Sequence, residues 1–270
     1  MIPAVAALGA WAAALVTVQG VAVTRALRTR RDDWDTDAPH GPTLVLRPCA
    51  GEDPDLAHNL LSTARARWNG PVKVLLGVAR DDDPARGPCE RAAEALRLEG
   101  IDARCVVTHA EGANQKVAQL AAMLDRAGDG HAAVLVADSD ADLTGLPLGA
   151  MVARLFAHER CAAVWVPPVE RSAHTAGDRA SRAVLGASLH AFPLLARIDG
   201  GGLVGKLFAA RADALDAVGF AALRRHLGED MELARAGARR GGRSRPRPSW
   251  SRRPRADGAG PPRRRGTGAG

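Results

Sequence analysis

Cysteine is scarce in this chain, and tyrosine is absent altogether. The few cysteines lie far apart and form no Cys-x-x-Cys pair, which argues against both a zinc ribbon and a disulfide framework. A reducing compartment is therefore the simpler interpretation. Tyrosine is absent while alanine, arginine and glycine are abundant, which is the composition that a GC-rich coding sequence produces. Because of this bias, alanine content alone says little about structure. The cysteines are Cys49, Cys89, Cys105 and Cys161.

Motifs for several other chemistries are also missing. Ser139 lies in no Gly-x-Ser-x-Gly turn, so it is not the serine of a nucleophile elbow. The stretch "GGGLVGK" (200–206) lacks the preceding strand and later acidic residue of a dinucleotide fingerprint. Its lysine also lacks the Ser or Thr that follows in a Walker loop. The eight histidines are scattered without metal-ligand spacing, so we interpret them as surface or core residues.

Positive charge is concentrated at one end of the chain. The formal net charge is +7, but the segment from Arg239 onward alone holds eleven arginines and one acidic residue. The rest of the chain is slightly acidic, so the basic character describes a tail and predicts no specific nucleic-acid partner. Because Pro, Arg and Gly dominate residues 241–270, we expect this tail to be disordered. It could bind anionic lipid nonspecifically.

The N-terminal segment has no charged residue before Arg25. It is long enough for a helix to cross a hydrocarbon core about 30 Å thick, and the arginines that follow favour a cytoplasmic location for the downstream chain. A cleaved signal peptide would carry its positive charge before a shorter apolar run, and a core helix would have a polar face. We therefore predict a single-pass membrane anchor over residues 1–26, a linker over 27–42 and one domain over 43–240.

Within that domain, apolar strands alternate with helices through short connections. This pattern predicts an α/β fold, with a mostly parallel sheet flanked by helices on both faces. Ligands of such sheets bind where the strands end, at the carboxyl edge. A further short strand and helix are predicted within 200–220. The other predicted strands are 43–48, 72–78, 103–107 and 132–137, and the predicted helices are 53–68, 83–100 and 114–128.

At the carboxyl edge, the strand in "AVLVADSDADL" (133–143) runs directly into three aspartates. Like charges so close together are unfavourable unless a cation neutralises them. Asp138 and Asp140 form an Asp-x-Asp pair that suits Mg²⁺ or Mn²⁺, hard ions that often bridge to substrate phosphates. In isolation such a tripeptide is more often a solvated loop or a helix cap. Asp142 is predicted to cap a helix beginning near Leu146.

A second acidic pair, Glu229 and Asp230, opens a predicted helix in "LGEDMELARAG". Acidic residues are favourable at a helix N-terminus, which is one interpretation. The other is a general base, which needs a carboxylate close to the hydroxyl that it deprotonates. The residues alone leave both interpretations open.

The order of these parts resembles the family 2 type nucleotide-sugar glycosyltransferases, and within them the ceramide glucosyltransferase and hopanoid-associated branch. The similarity covers about residues 43–240. It depends on a strand ending in Arg-Pro, "DDDPA" after the second strand, "NQK" before a helix, "ADSD" at a strand end, "GKLFAARADALDAVGF" and then "GED". Each motif is short, but their order and spacing together are fairly specific. The resemblance implies a GT-A-like, Rossmann-like domain.

The resemblance also implies catalytic roles. Asp138 would be the family's second catalytic aspartate, and Asp140 would complete the pair that binds the cation and the donor diphosphate. Asp230 would be the general base that deprotonates the acceptor hydroxyl, with Glu229 beside it.

Donor-binding residues follow from the same resemblance. Asn114 and Lys116 would lie by the donor pocket, where a lysine suits phosphate. The aspartate that contacts the uracil base would be Asp81. Direct alignment of "DDPA" with the family motif places Arg80 at that position, so the assignment to Asp81 shifts the alignment by one residue.

The implied protein is a membrane-anchored glycosyltransferase of glycolipid biosynthesis. It would transfer a sugar from a UDP-sugar, UDP-glucose or a relative, to a lipid hydroxyl with inversion, and it would need Mg²⁺ or Mn²⁺. Two alternatives remain: an inactive nucleotide-sugar-binding remnant, and a non-enzymatic membrane-tethered protein whose basic tail engages anionic partners. A nucleotidyltransferase is compatible with the fold alone.

One part of the family pattern is missing. After its third aspartate the family has a Gln-or-Arg-x-x-Arg-Trp motif and, in this branch, more membrane helices, but Trp250 precedes its arginines. A frameshift or truncation would explain the missing motif together with the low-complexity tail. We predict that another reading frame beyond Arg240 encodes the motif and apolar helices. Sequencing the coding DNA checks this, and their absence from both other frames would refute it.

Overall fold

The computed structural model describes residues 9–18, 20–21, 24, 38–157, 161–169, 175–188, 203–220 and 243–246. Within this part of the chain, the strands form one seven-stranded sheet. The strands are β1 (Thr43–Pro48), β2 (Val72–Val78), β3 (Asp102–Val107), β4 (Ala133–Ala137), β5 (Cys161–Trp165), β6 (Leu207–Arg211) and β7 (Arg243–Pro246).

The sheet is mixed, with the strand order β3-β2-β1-β4-β6-β5-β7. The half formed by β3, β2, β1 and β4 is parallel. Strand β6 runs antiparallel to both β4 and β5, and β7 runs parallel to β5. The prediction of a mostly parallel sheet is therefore confirmed for its first four strands, and β6 is the exception that reverses direction.

Helices cover both faces of this sheet, as the alternating pattern predicted. Strand β1 is buried on both sides because its side chains point alternately to opposite faces. Val45 packs in one apolar layer with α1, α2 and α4, whereas Leu44 and Leu46 pack in the other with α3 and α6. The helices are α1 (Leu56–Leu61), α2 (Arg86–Leu98), α3 (Gln115–Ala127), α4 (Leu148–Phe156), α5 (Ala176–Ser188) and α6 (Ala212–Val218).

The first helix is shorter than the sequence predicted. A helix was expected over 53–68, but α1 ends at Leu61. The chain beyond it turns and pairs with the loop before α4: the Arg67 backbone N–H donates to the Leu146 carbonyl (2.9 Å), and the Gly145 N–H donates to the Arg65 carbonyl (2.9 Å). Tertiary backbone pairing thus replaces the last helical turns.

Asp142 does not cap a helix, so that prediction was wrong. Helix α4 follows Pro147 and has no side-chain cap. The Asp142 carboxylate instead accepts a hydrogen bond from the Thr144 N–H (2.9 Å), which closes a turn within the loop. The separation of Asp142 from the start of α4 explains the difference.

The two ends of the chain are described only in part. Residues 9–18 are helical, and none of the helices in the described residues is both long and apolar enough to span a bilayer. At the other end, Arg243–Pro246 forms β7 beside β5, so the expectation of disorder is wrong for these four residues. A ladder of backbone hydrogen bonds does not require apolar side chains. The remainder of the basic tail, with Glu229 and Asp230, lies outside the described residues.

A close contact of Gly149 gives a test of the fold. Gly-to-Ala changes inside a helix usually stabilise, by up to about 1 kcal/mol. A Cβ at Gly149 would lie 2.8 Å from the Asn69 backbone nitrogen, whereas one at Gly186 in α5 meets no atom within 4 Å. We expect Gly149→Ala to lower the free energy of unfolding by about 1–3 kcal/mol, measured by urea denaturation. Gly186→Ala is the control and should be neutral or stabilising; equal effects would contradict this packing.

Candidate active site

The Asp-x-Asp pair lies at the carboxyl edge of the sheet, immediately after β4. Antiparallel pairing places Ala137 opposite Leu207, so Asp138 is opposite Lys206. The Asp138 N–H donates to the Lys206 carbonyl (2.9 Å), which continues the ladder by one residue. The register of β6 therefore brings a lysine beside the aspartates, and this lysine was not among the predicted site residues.

Two lysines pair with the two aspartates. Lys116 Nζ, in the first turn of α3, lies 2.6 Å from Asp138 Oδ1, and Lys206 Nζ pairs with Asp140 Oδ2. Lys116 Nζ also donates to the Gly205 carbonyl (3.2 Å). The start of α3, the end of β4 and the start of β6 are thus joined by charged contacts. These contacts explain how the acidic stretch is tolerated beside a buried strand.

Of the two aspartates, Asp138 is the more buried. Desolvation raises the pKa of this carboxyl above its ordinary value, although the ion pair with Lys116 opposes the shift. A carboxylate in this environment gains more than an exposed one from an additional nearby cation. Asp140 is more accessible, with half of its side chain exposed.

Arg47 supports the same loop from beneath and is fully buried. Burial lowers its pKa to about 10, which still leaves it charged at neutral pH. Its Nη2 donates to the carbonyls of Asp138 (2.8 Å) and Ala141 (2.7 Å), and more weakly to that of Ser139 (3.4 Å). The Arg-Pro strand end was part of the resemblance, but no role followed from it. The feature of the sequence that could have revealed this role is a positively charged side chain within an otherwise apolar strand.

The other two predicted donor-binding residues are Asn114, two residues before Lys116, and Asp81, in the loop after β2. Asn114 is the N-cap of α3, and its side chain accepts a hydrogen bond from the Val117 N–H (3.2 Å). Asp81 lies in the exposed loop after β2, where Arg86 Nη1 is 2.7 Å from its Oδ1. The structure thus brings Lys116, Asp138 and Asp140 together and places Asp81 in a separate loop.

The carboxylates at the end of β4 suit a divalent cation that also binds a phosphate ligand. Asp138 and Asp140 supply two carboxylates, and the described part of the chain holds no group of three or more His, Cys, Asp or Glu ligands. Mg²⁺ and Mn²⁺ are commonly held by one or two carboxylates, with substrate phosphate and water completing the shell. Two flanking lysines also suit an anionic phosphate ligand.

The sheet order, the reversed β6 and the Asp-x-Asp pair after β4 define a glycosyltransferase fold of the GT-A kind. The chain belongs to glycosyl transferase family 21, whose family model matches residues 4–253. That match extends past Arg240 into the basic segment. The narrower ceramide glucosyltransferase and hopanoid-associated branch is not resolved by it.

Two solved structures share this fold. A mannosyltransferase from Pyrobaculum calidifontis, in complex with GDP-Man and Mn²⁺, is 19% identical, with a TM-score of 0.55 over 87% of this chain. The chain spans 65% of that protein. S. aureus TarS (1–349) is 14% identical, with a TM-score of 0.52 over 78% of this chain and 59% of its own. No curated protein sequence matches the chain.

The ion pair between Lys206 and Asp140 predicts that replacing Lys206 has opposite effects on the affinity for metal and the affinity for nucleotide. In Lys206→Met the ion pair that competes for Asp140 is lost, so the Mn²⁺ dissociation constant should fall about two- to fivefold, as expected for a partly exposed pair. Affinity for a nucleoside diphosphate should fall, because a phosphate-binding cation is removed. Titration calorimetry measures both.

Lys73→Met is the matched control, since Lys73 Nζ donates to the Ala127 carbonyl (2.7 Å) and pairs with neither aspartate. It should change neither affinity. A loss of Mn²⁺ affinity in Lys206→Met would contradict competition between lysine and metal.

Proposed function

We propose that this protein is a membrane-anchored, inverting glycosyltransferase. It transfers a sugar from a UDP-sugar, UDP-glucose or a relative, to a lipid hydroxyl. The observation that carries the proposal is the arrangement at the end of β4, where Asp138 and Asp140 face Lys116 and Lys206. Membership of glycosyl transferase family 21 supports the reaction class. The choice of uracil nucleotide and lipid acceptor follows from the resemblance of the sequence motifs.

The lysines and aspartates at the end of β4 would stabilise the diphosphate as it leaves. Lys116 and Lys206 supply positive charge where negative charge develops on the leaving group. Asp138 and Asp140 would hold the divalent cation, which offsets the diphosphate charge when bound.

In this proposal Asp230 is the general base that acts on the acceptor. Its carboxylate takes the proton of the acceptor hydroxyl, while the hydroxyl oxygen forms a bond to the anomeric carbon. The bond from that carbon to the diphosphate oxygen breaks on the opposite face, so the sugar configuration inverts. Glu229 precedes the base in the sequence.

Membrane attachment is the third part of the proposal. The uncharged N-terminal segment followed by arginines supports a single-pass anchor with the domain facing the cytoplasm. An anchor would confine the domain close to an acceptor embedded in the bilayer. The Arg-rich tail would add attraction to anionic lipid.

Transfer of radiolabelled sugar into membrane lipid tests the reaction. We expect transfer from UDP-glucose that depends on Mn²⁺. GDP-mannose is the competing donor, because the Pyrobaculum calidifontis mannosyltransferase is in complex with it. Asp138→Asn and Asp230→Asn should each lower the rate by about 10²- to 10⁴-fold. Asp142→Asn is the control, since the Asp142 carboxylate accepts a hydrogen bond from the Thr144 N–H in the turn before α4.

The outcomes separate the alternatives. Wild-type rates from Asp230→Asn would remove the base assignment and leave the donor site intact. Calorimetric binding of UDP-glucose without turnover would indicate an inactive nucleotide-sugar-binding remnant. Salt-dependent lipid association that is lost on deleting the tail, with neither donor binding nor a response to Mn²⁺, would indicate a non-enzymatic protein.

A further inference from the structure

Arg47 has a position that packing alone does not explain. Along β1 the side chains of Val45 and Cys49 enter the same apolar layer, and alternation places Arg47 between them on that face. Its side chain is 0% exposed. A buried cation is unfavourable unless hydrogen bonds satisfy it, so its contacts indicate what it is there to hold.

The guanidinium joins two separate parts of the fold. On one side, Nη1 donates to the carbonyl of Asn59 in α1 and to Thr63 Oγ1 (3.1 Å). On the other side, Nη2 donates to the carbonyls of residues 138, 139 and 141. No carboxylate accepts from Arg47 among the described residues; all five acceptors are carbonyl or hydroxyl oxygens. The carboxylates of the Asp-x-Asp pair therefore remain available to other cations.

Apart from the two ion pairs of its aspartates with Lys116 and Lys206, the loop has few other attachments, and these are made by its backbone. The Asp138 N–H bonds to the Lys206 carbonyl, and the Ala141 N–H bonds back to the Asp138 carbonyl (3.1 Å). The next attachment is the Leu143 N–H, which donates to Ser62 Oγ (2.8 Å). Arg47 is thus the contact that gathers three loop carbonyls at one point.

We propose that Arg47 is a positioning residue for the Asp-x-Asp pair: by binding the backbone of residues 138–141, it fixes how the two carboxylates are placed to receive a divalent cation. The cation part of this inference rests on the proposed function. A metal site needs its ligands held within about 0.5 Å, so loosening this loop weakens binding even when both aspartates are present. A lysine cannot replace the planar guanidinium, which supplies two separate amino groups in a fixed geometry.

The test uses the full chain and requires no sugar donor. In Arg47→Lys, we expect the Mn²⁺ dissociation constant, measured from the electron paramagnetic resonance signal of free Mn²⁺, to rise about tenfold. Hydrogen exchange at the Ala141 and Leu143 amides should accelerate by a similar factor. Exchange in α2 should not change, because that helix lies outside the loop.

Arg97→Lys is the matched control. It makes the same chemical change at a guanidinium that bonds one backbone carbonyl, that of Ala103 (2.9 Å), away from the Asp-x-Asp loop. We expect wild-type Mn²⁺ affinity and wild-type exchange of residues 138–144. If Arg47→Lys folds and matches this control in both measurements, the inference is overturned.

Two further outcomes remain decisive. If Arg47→Lys does not fold, Thr63→Val removes one acceptor of the guanidinium without touching the loop. A two- to threefold loss of Mn²⁺ affinity supports the inference, and no change overturns it. If the wild type binds no Mn²⁺, the metal part of the proposed function fails, and loop exchange alone decides the role of Arg47: faster exchange in the variant supports positioning, and unchanged exchange overturns it.

Discussion

The antiparallel pairing of β6 with β4 is the constraint on which the site depends. In an all-parallel sheet, the neighbour of β4 would also end at the carboxyl edge. Here β6 begins at that edge, and its first residues meet the last residues of β4 in register. Lys206 therefore lies opposite Asp138, although the two are far apart in sequence. The Gly205 carbonyl beside it also accepts a hydrogen bond from Lys116 in α3, so the segment that leads into β6 supplies one lysine and contacts the other.

The charges at this edge fall into two layers. On the accessible side, two lysines and two aspartates balance one another. Beneath them Arg47 donates to neutral oxygen atoms, namely four backbone carbonyls and the Thr63 hydroxyl. The upper layer can exchange partners when a ligand enters, because its groups are partly exposed. The lower layer is buried, so an exchange of partners there would leave a charge unsatisfied.

Sequence patterns predicted the scaffold better than the contacts of the site. The strands β1, β2 and β4 are largely apolar, as expected for a sheet covered on both faces, and all four strands of the parallel half were predicted to within one residue of their bounds. Asp138 and Asp140 were found because three aspartates after such a run are unusual. Lys206 could not be found, since its place depends on strand register. The early end of α1 depends equally on pairing with a remote loop, and periodicity does not report such pairing.

In the described part of the chain, both edges of the sheet carry charged residues where another chain could add a strand. Strand β7 forms one edge and includes Arg243, Arg245 and Pro246, and β3 forms the other with Asp102 and Arg104 exposed. Open edges invite pairing between molecules, and charged residues and proline are the usual means of preventing it. The charged residues of these two strands therefore disfavour edge-to-edge pairing between separate copies of the protein.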